Sequence, residues 1–178
     1  PRDIPVGNGS LLVNFDARYR LRDLYWPYVG EENHTAGHSS RFGVWADGQF
    51  AWVSDDGWER SLDYVGDDLV TEVILHHPHL ELRLVCQDTV DFHEDLFVRR
   101  IEVRDEAGRD REVRLFFHHD FHISGREVGD TAYYEPARRA ISIQEEALVI
   151  EFTKPHYRGL VNRAADWMCG YRDDETGL

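Results

Sequence analysis

The chain is predicted to be all-β, a large antiparallel sandwich of two packed sheets, on three observations. Apolar residues alternate with polar ones over most of the sequence, the mark of strands with one buried face. Turn-forming residues recur at short intervals, giving about ten to twelve short strands. Helical periodicity is nearly absent, with one short helix expected near the carboxyl end. A length of 178 residues suits one sizeable core, so residues 1–178 are taken as a single domain.

Taken in order, Gly7-Asn8-Gly9 makes a tight turn ahead of a short apolar strand, Leu11 to Phe15, and a second strand starts at Leu21. Phe42 to Ala46 and Phe50 to Val53 flank Asp47-Gly48, a strong hairpin signal. Leu69 to Leu75 and Leu80 to Cys86 alternate strictly, which turns Leu80, Leu82, Leu84 and Cys86 toward the core. His76-His77-Pro78-His79 separates them, since proline cannot donate to a ladder. Gln87 to Val90 continues as a polar strand into a turn at Glu94-Asp95. Phe97 to Val103 and Val113 to Phe117 read as a hairpin joined through Asp105 to Arg109. Ala140 to Ile143 and Leu148 to Phe152 form another pair, and Leu160 to Met168 has helix-favouring composition with Gly170 as its stop.

Charge narrows the partners. Lys and Arg number 20 against 34 Asp and Glu, a net charge of -14. Such a surface repels phosphate backbones and anionic headgroups, so neither nucleic acid nor a membrane is expected as a partner. A neutral glycan is not penalised. Two cysteines, Cys86 and Cys169, provide no disulfide framework. With no signal peptide or run of roughly 20 apolar residues, a cytoplasmic location is expected. The chain opens on Pro1 and closes on Asp173-Asp174-Glu175-Thr176-Gly177-Leu178, which reads as a piece of a longer protein.

Chemistry concentrates in Tyr25-Trp26-Pro27-Tyr28, followed by a segment with His34 and His38. Ring faces for stacking sit beside amide, carboxylate and imidazole groups, the pairing that sugar binding needs. The same rings could instead pack into the sandwich edge. Trp45 and Trp52 sit across the Asp47-Gly48 hairpin, on the faces opposite Val44 and Val53, and Trp58 follows, giving an alternative glucan-binding strip, though one or more of these rings are expected to fill the core.

Other constellations lead less far. His118 and His119 point to opposite faces of one strand; only His118 with His122, or His118 with Asp120, share a face, so neither a metal nor another cofactor is expected. Glycoside cleavage uses two acids about 5 to 10 Å apart, and Asp88, Asp91, Glu94 and Asp95 cluster in sequence, but they read as a polar strand and turn. Neither cysteine nor Ser124 sits in a nucleophile motif. No catalytic residue is assigned.

The Gly7-Asn8-Gly9 turn and Asp23-Leu24-Tyr25-Trp26-Pro27, with Arg41-Phe42-Gly43-Val44 and Leu96-Phe97-Val98-Arg99-Arg100 downstream, resemble the amino-terminal domain of bacterial and archaeal family 15 glycoside hydrolases, the glucoamylase and glucodextranase group. The resemblance implies a super-sandwich domain, non-catalytic by itself, that supports a helical (α/α) barrel in the same protein. It implies that the barrel holds the glutamates that cleave α-linked glucosides, and that a loop of this chain, Tyr25, Trp26, Pro27, Tyr28, His34 and His38, borders the substrate pocket. The alternative is a free-standing carbohydrate-binding module, and a third reading is a histidine-lined metalloprotein.

Overall fold

A computed structural model describes residues 3–125, 131–137, 139–143 and 148–151. Among them are thirteen strands, two short 3-10 turns and no α-helix, so the all-β expectation holds. The strands form four antiparallel sheets. The first contains β1 (Asp3–Gly7), β2 (Leu12–Asp16) and β3 (Leu21–Tyr25) in chain order. The second has the order β10-β4-β5, from β4 (Arg41–Ala46), β5 (Gln49–Trp52) and β10 (Val113–His118). The third, β6-β7-β8-β9, comprises β6 (Glu59–Tyr64), β7 (Thr71–His77), β8 (Leu82–Val90) and β9 (Phe97–Asp105). A small fourth sheet joins β11 (Ala132–Glu135), β12 (Ala140–Ile143) and β13 (Leu148–Glu151). The helix expected over Leu160 to Met168 lies outside the described residues.

Alternation builds the core. Ile4 and Val6, Val13 and Phe15, Phe42, Val44 and Ala46, Val73 and Leu75, and Leu82, Leu84 and Cys86 all face one cluster shared by the first three sheets. Burial holds the Cys86 thiol up at about 12, so it packs as a small apolar group. Leu80 sits in the 3-10 turn Pro78–Leu80, not in a strand, yet is buried. Its N–H donates to His77 Nδ1 at 3.1 Å, which ends β7 one residue before the proline.

One buried strand position carries a carboxylate. Asp88 falls on the buried parity of β8, opposite Arg99 of β9, and Arg99 Nε donates to Asp88 Oδ1 at 2.6 Å. Tyr19 Oη also donates to Asp88, and the Asp88 N–H donates to Thr71 Oγ1 at 2.9 Å. The guanidinium lies over the rings of Phe15 and Tyr19, 4.8 Å from each centroid. Burial drives the Tyr19 hydroxyl well above its usual range, so this phenol stays a donor. A buried charge persists only when paired and hydrogen-bonded, and this one is both.

Two connections differ from expectation. β9 and β10 are not a hairpin: β9 pairs with β8, while β10 crosses to pair with β4, from Val113↔Ala46 to His118↔Arg41. Arg111 secures the crossing, donating to Asp105 Oδ1 at 2.7 Å, Asp47 Oδ2 at 2.7 Å and the Leu80 carbonyl at 2.6 Å. β1, β6 and β11 were not anticipated. The Gly7-Asn8-Gly9 turn forms as read, with Asn8 Oδ1 accepting from the Ser10 and Leu11 N–H groups and Gly9 at φ 101°. Asn8 Nδ2 reaches across to the Asp91 and Glu94 carbonyls, tying the turn to the loop after β8.

Candidate functional site

The strand β3 ends at Tyr25, and the chain leaves the sheet for a loop whose base is closed by the Tyr25↔Asn33 bridge. The tip projects outward: Trp26 is 41% exposed, Tyr28 63% and Val29 51%. The Trp26–Pro27 peptide is cis. A polar frame fixes the base. Asn33 Oδ1 accepts from the Leu24 and Thr35 N–H groups, each at 3.1 Å, while its Nδ2 donates to Asp23 Oδ1 at 2.8 Å. Burial works to raise the Asp23 carboxyl, but hydrogen bonds from Arg22, Asn14 and Asn33 hold it below the ordinary carboxylate range.

His34 is the keystone. It is buried, and its Nδ1 accepts from the Ser124 N–H at 2.9 Å. The proton therefore sits on Nε2, which donates to the Trp26 carbonyl at 2.7 Å. From the other side, Trp26 Nε1 donates to Asp95 Oδ2 at 2.7 Å. Trp26 is thus clamped at its carbonyl and its indole with part of its ring in solvent, an arrangement set before any ligand arrives. The Tyr28 side chain is exposed, and its hydroxyl has no hydrogen-bond partner among the described residues.

His38 lies at the far end of the segment, beyond His34. Its ring stacks on His122 with centroids 4.3 Å apart, and its Nδ1 is 3.5 Å from Asp120 Oδ2. Of the residues expected to form one pocket loop, Trp26 and His34 meet directly, Tyr25, Pro27 and Tyr28 complete the tip and its stem, and His38 joins a separate group. Sequence reading missed Asp95 as the indole acceptor, Asp120 and His122 as partners of His38, and Phe92. Phe92 is 78% exposed, on the loop that carries Asp95. Strict parity along β8 is the signal that separates Asp88 from its neighbours. Asp91 also has structural work, accepting from the His93 and Glu94 N–H groups, which lower its carboxyl.

A second aromatic surface occupies the outer face of β10-β4-β5. Register places Trp45, Phe50 and Arg114 in one row and Gly43, Trp52 and Phe116 in the next. Phe50 meets Trp52 and Phe116 edge to face, with centroids 4.7 and 5.7 Å apart. Arg41 lies over Trp52 at 4.3 Å and Arg114 over Trp45 at 5.0 Å. Gly43 makes room: a Cβ there would fall 2.5 Å from the Phe50 ring and 3.0 Å from the Ala51 carbonyl. Trp58 does not belong to this strip, being 3% exposed and set edge-on to His77 at 5.0 Å. The turn after β5 folds it inward.

Among the described residues no helix is long and apolar enough to cross a membrane. The chain is similar to an uncharacterized glycosyl hydrolase of Methanocaldococcus jannaschii, with 22% identity over 173 residues. That match covers 96% of this chain but 26% of the relative, so the chain spans about a quarter of the length of the curated relative it matches. No family model matches the chain, and no solved structure matches it significantly.

Proposed function

We propose that this chain is the amino-terminal β-sandwich domain of a glucoamylase-like glycoside hydrolase, non-catalytic by itself, which supports an (α/α) barrel and lends the Tyr25–Tyr28 loop to its substrate pocket. The observation that carries this reading is the placement of Trp26. Its indole and carbonyl are both engaged by the protein, leaving ring surface free on a projecting tip, which suits the apolar face of a pyranose. The near-complete alignment of the chain with a quarter of a glycosyl hydrolase supports a role as one part of a larger enzyme. The acids of the cluster point the same way. Asp88, Asp91 and Asp95 are committed to Arg99, backbone N–H groups and the Trp26 indole respectively.

The test is hydrolysis of maltooligosaccharides by the full-length enzyme with Trp26→Ala and Tyr28→Ala. Loss of kcat/KM by tenfold or more with folding intact supports the pocket-wall role; unchanged kinetics for both variants would sink it. Hydrolysis by the isolated chain would contradict the non-catalytic assignment. A second reading, a carbohydrate-binding module, draws on Trp45 and Trp52 sharing one outer sheet face. Maltooligosaccharide binding by the isolated chain, abolished by Trp52→Ala, would favour it.

A further inference from the structure

We propose that His38, Asp120 and His122 form a binding site for a divalent transition-metal ion of the zinc class, pinning the 33–40 segment to the stretch that follows β10. Three ligand atoms, one from each residue, lie within 4.8 Å of one another. His122 Nε2 is 3.2 Å from Asp120 Oδ1, and His38 Nδ1 is 3.5 Å from Asp120 Oδ2. Zinc bonds to nitrogen and oxygen of about 2.0–2.1 Å in a tetrahedron separate neighbouring ligand atoms by roughly 3.3–3.4 Å. The two contacts, one to each oxygen of the carboxylate, are close to that separation. The two imidazoles stack nearly parallel, 16° apart with centroids 4.3 Å from each other, so both rings turn about their side-chain bonds to bring their lone pairs onto one ion.

The treatment of the carboxylate sets this cluster apart. Four aspartates elsewhere have arginine partners, Asp16 with Arg20, Asp23 with Arg22, Asp47 with Arg111 and Asp88 with Arg99, while Asp91 and Asp95 accept from backbone N–H groups and an indole. Asp120 has no arginine or lysine partner among the described residues, and instead collects two imidazoles. The comparison with His76 is direct. That ring also touches two carboxylates, Glu59 and Glu106, but Arg83 occupies Glu106 at 3.0 Å, so a cation already fills the place.

The backbone under the cluster is fixed in advance. The Asp120 N–H donates to Ser40 Oγ at 3.0 Å, and the His122 N–H donates to the His34 carbonyl at 2.7 Å. Both bonds cross between the segments that supply the ligands. His38 and Asp120 are half exposed, so a fourth position stays open to water, and imidazole with carboxylate is a donor set suited to zinc and its borderline neighbours. The site shares its His34 anchor with the Trp26 loop, yet stands independently of any sugar role.

The test is zinc titration of the untagged chain by calorimetry, with cobalt(II) absorption reporting coordination geometry. Wild type is expected to take up one equivalent, to show four-coordinate cobalt bands and to gain thermal stability with rising zinc. His38→Gln, Asp120→Asn and His122→Gln should each bind at least tenfold more weakly, while His79→Gln binds as wild type. Because His38 is a solvent-facing side chain, His38→Gln keeps the fold and decides the matter alone. Absence of one-equivalent binding in wild type, or undiminished binding in His38→Gln, overturns the proposal.

Discussion

The two aromatic surfaces are built on opposite plans. On the β3 loop, Trp26 and Tyr28 stand apart from other large rings and are held through the backbone frame of Asn33, His34 and Asp95. On the outer face of β10-β4-β5, Phe50, Trp52 and Phe116 hold one another, with arginines capping Trp52 and Trp45. Edge-to-face pairs are worth about 0.5–1.5 kcal/mol beyond burial, so the sheet rings contribute to stability where they sit. The loop rings contribute little, and their positioning costs are met by polar groups beneath them. Rings that the fold does not need are the ones the proposed pocket role draws on, whereas the sheet rings are packed against one another.

The comparison can be broken at its supports. Asn33→Ala removes the acceptor for two backbone N–H groups and the donor to Asp23 at once. A loss of about 2–4 kcal/mol is expected from stranded partners of this kind, measured by urea unfolding, with the Trp26 loop losing hydrogen-exchange protection while β4 and β5 keep theirs. Gly43→Ala strikes the other plan. The Phe50 ring can swing away from a new Cβ, but the Ala51 carbonyl cannot, so about 1–3 kcal/mol should be lost to overpacking. Near-ultraviolet circular dichroism should change as the aromatic rows separate, with the loop unaffected.

A buried histidine beside Trp58 adds a pH test. His77 lies under the turn that follows Trp52, and burial lowers its pKa below the usual 6.5. Between that lowered value and 6.5 the unfolded chain binds more protons than the folded one, so stability is full above pH 6.5 and declines as pH falls through this window. The unfolding midpoint should follow that slope, to which His119, lowered by burial to about 4, also contributes, and His77→Asn, which keeps an acceptor for the Leu80 N–H, should reduce it. A midpoint independent of pH from 7 to 5 would remove His77 from the account. The smallest effect is expected for Tyr28→Ala, within about 0.5 kcal/mol of wild type, since that side chain is 63% exposed. A larger loss would mean that the loop tip packs as tightly as the sheet face.

Much of this was legible in the chain because strand alternation and turn chemistry are local. Leu82 to Cys86 alternate in sequence and in burial alike, and Asn8 and Asp47-Gly48 turn where their side chains and backbone allow. Tyr25, Trp26 and Tyr28 were visible as an aromatic tip for the same reason. Partner choice was not local. That β10 crosses to β4 in place of pairing with β9 and that Trp58 is folded into the core depend on contacts between segments apart in sequence, while Asp88 meets Arg99 through the register that β8 and β9 adopt.

The histidines give the sharpest division. Parity along one strand could weigh His118 only against His122 and Asp120, its own neighbours. β10 ends at His118 and alternation ends with it, so Asp120 and His122 turn instead toward His38, which arrives from a segment some eighty residues earlier. The sequence by itself determined an all-β chain, its turns and its exposed aromatic loop, because those follow from each residue and its immediate neighbours. Which side chains meet was decided by the tertiary structure alone, since hydrogen bonds and packing between distant strands select one set of encounters from the many that the local pattern permits.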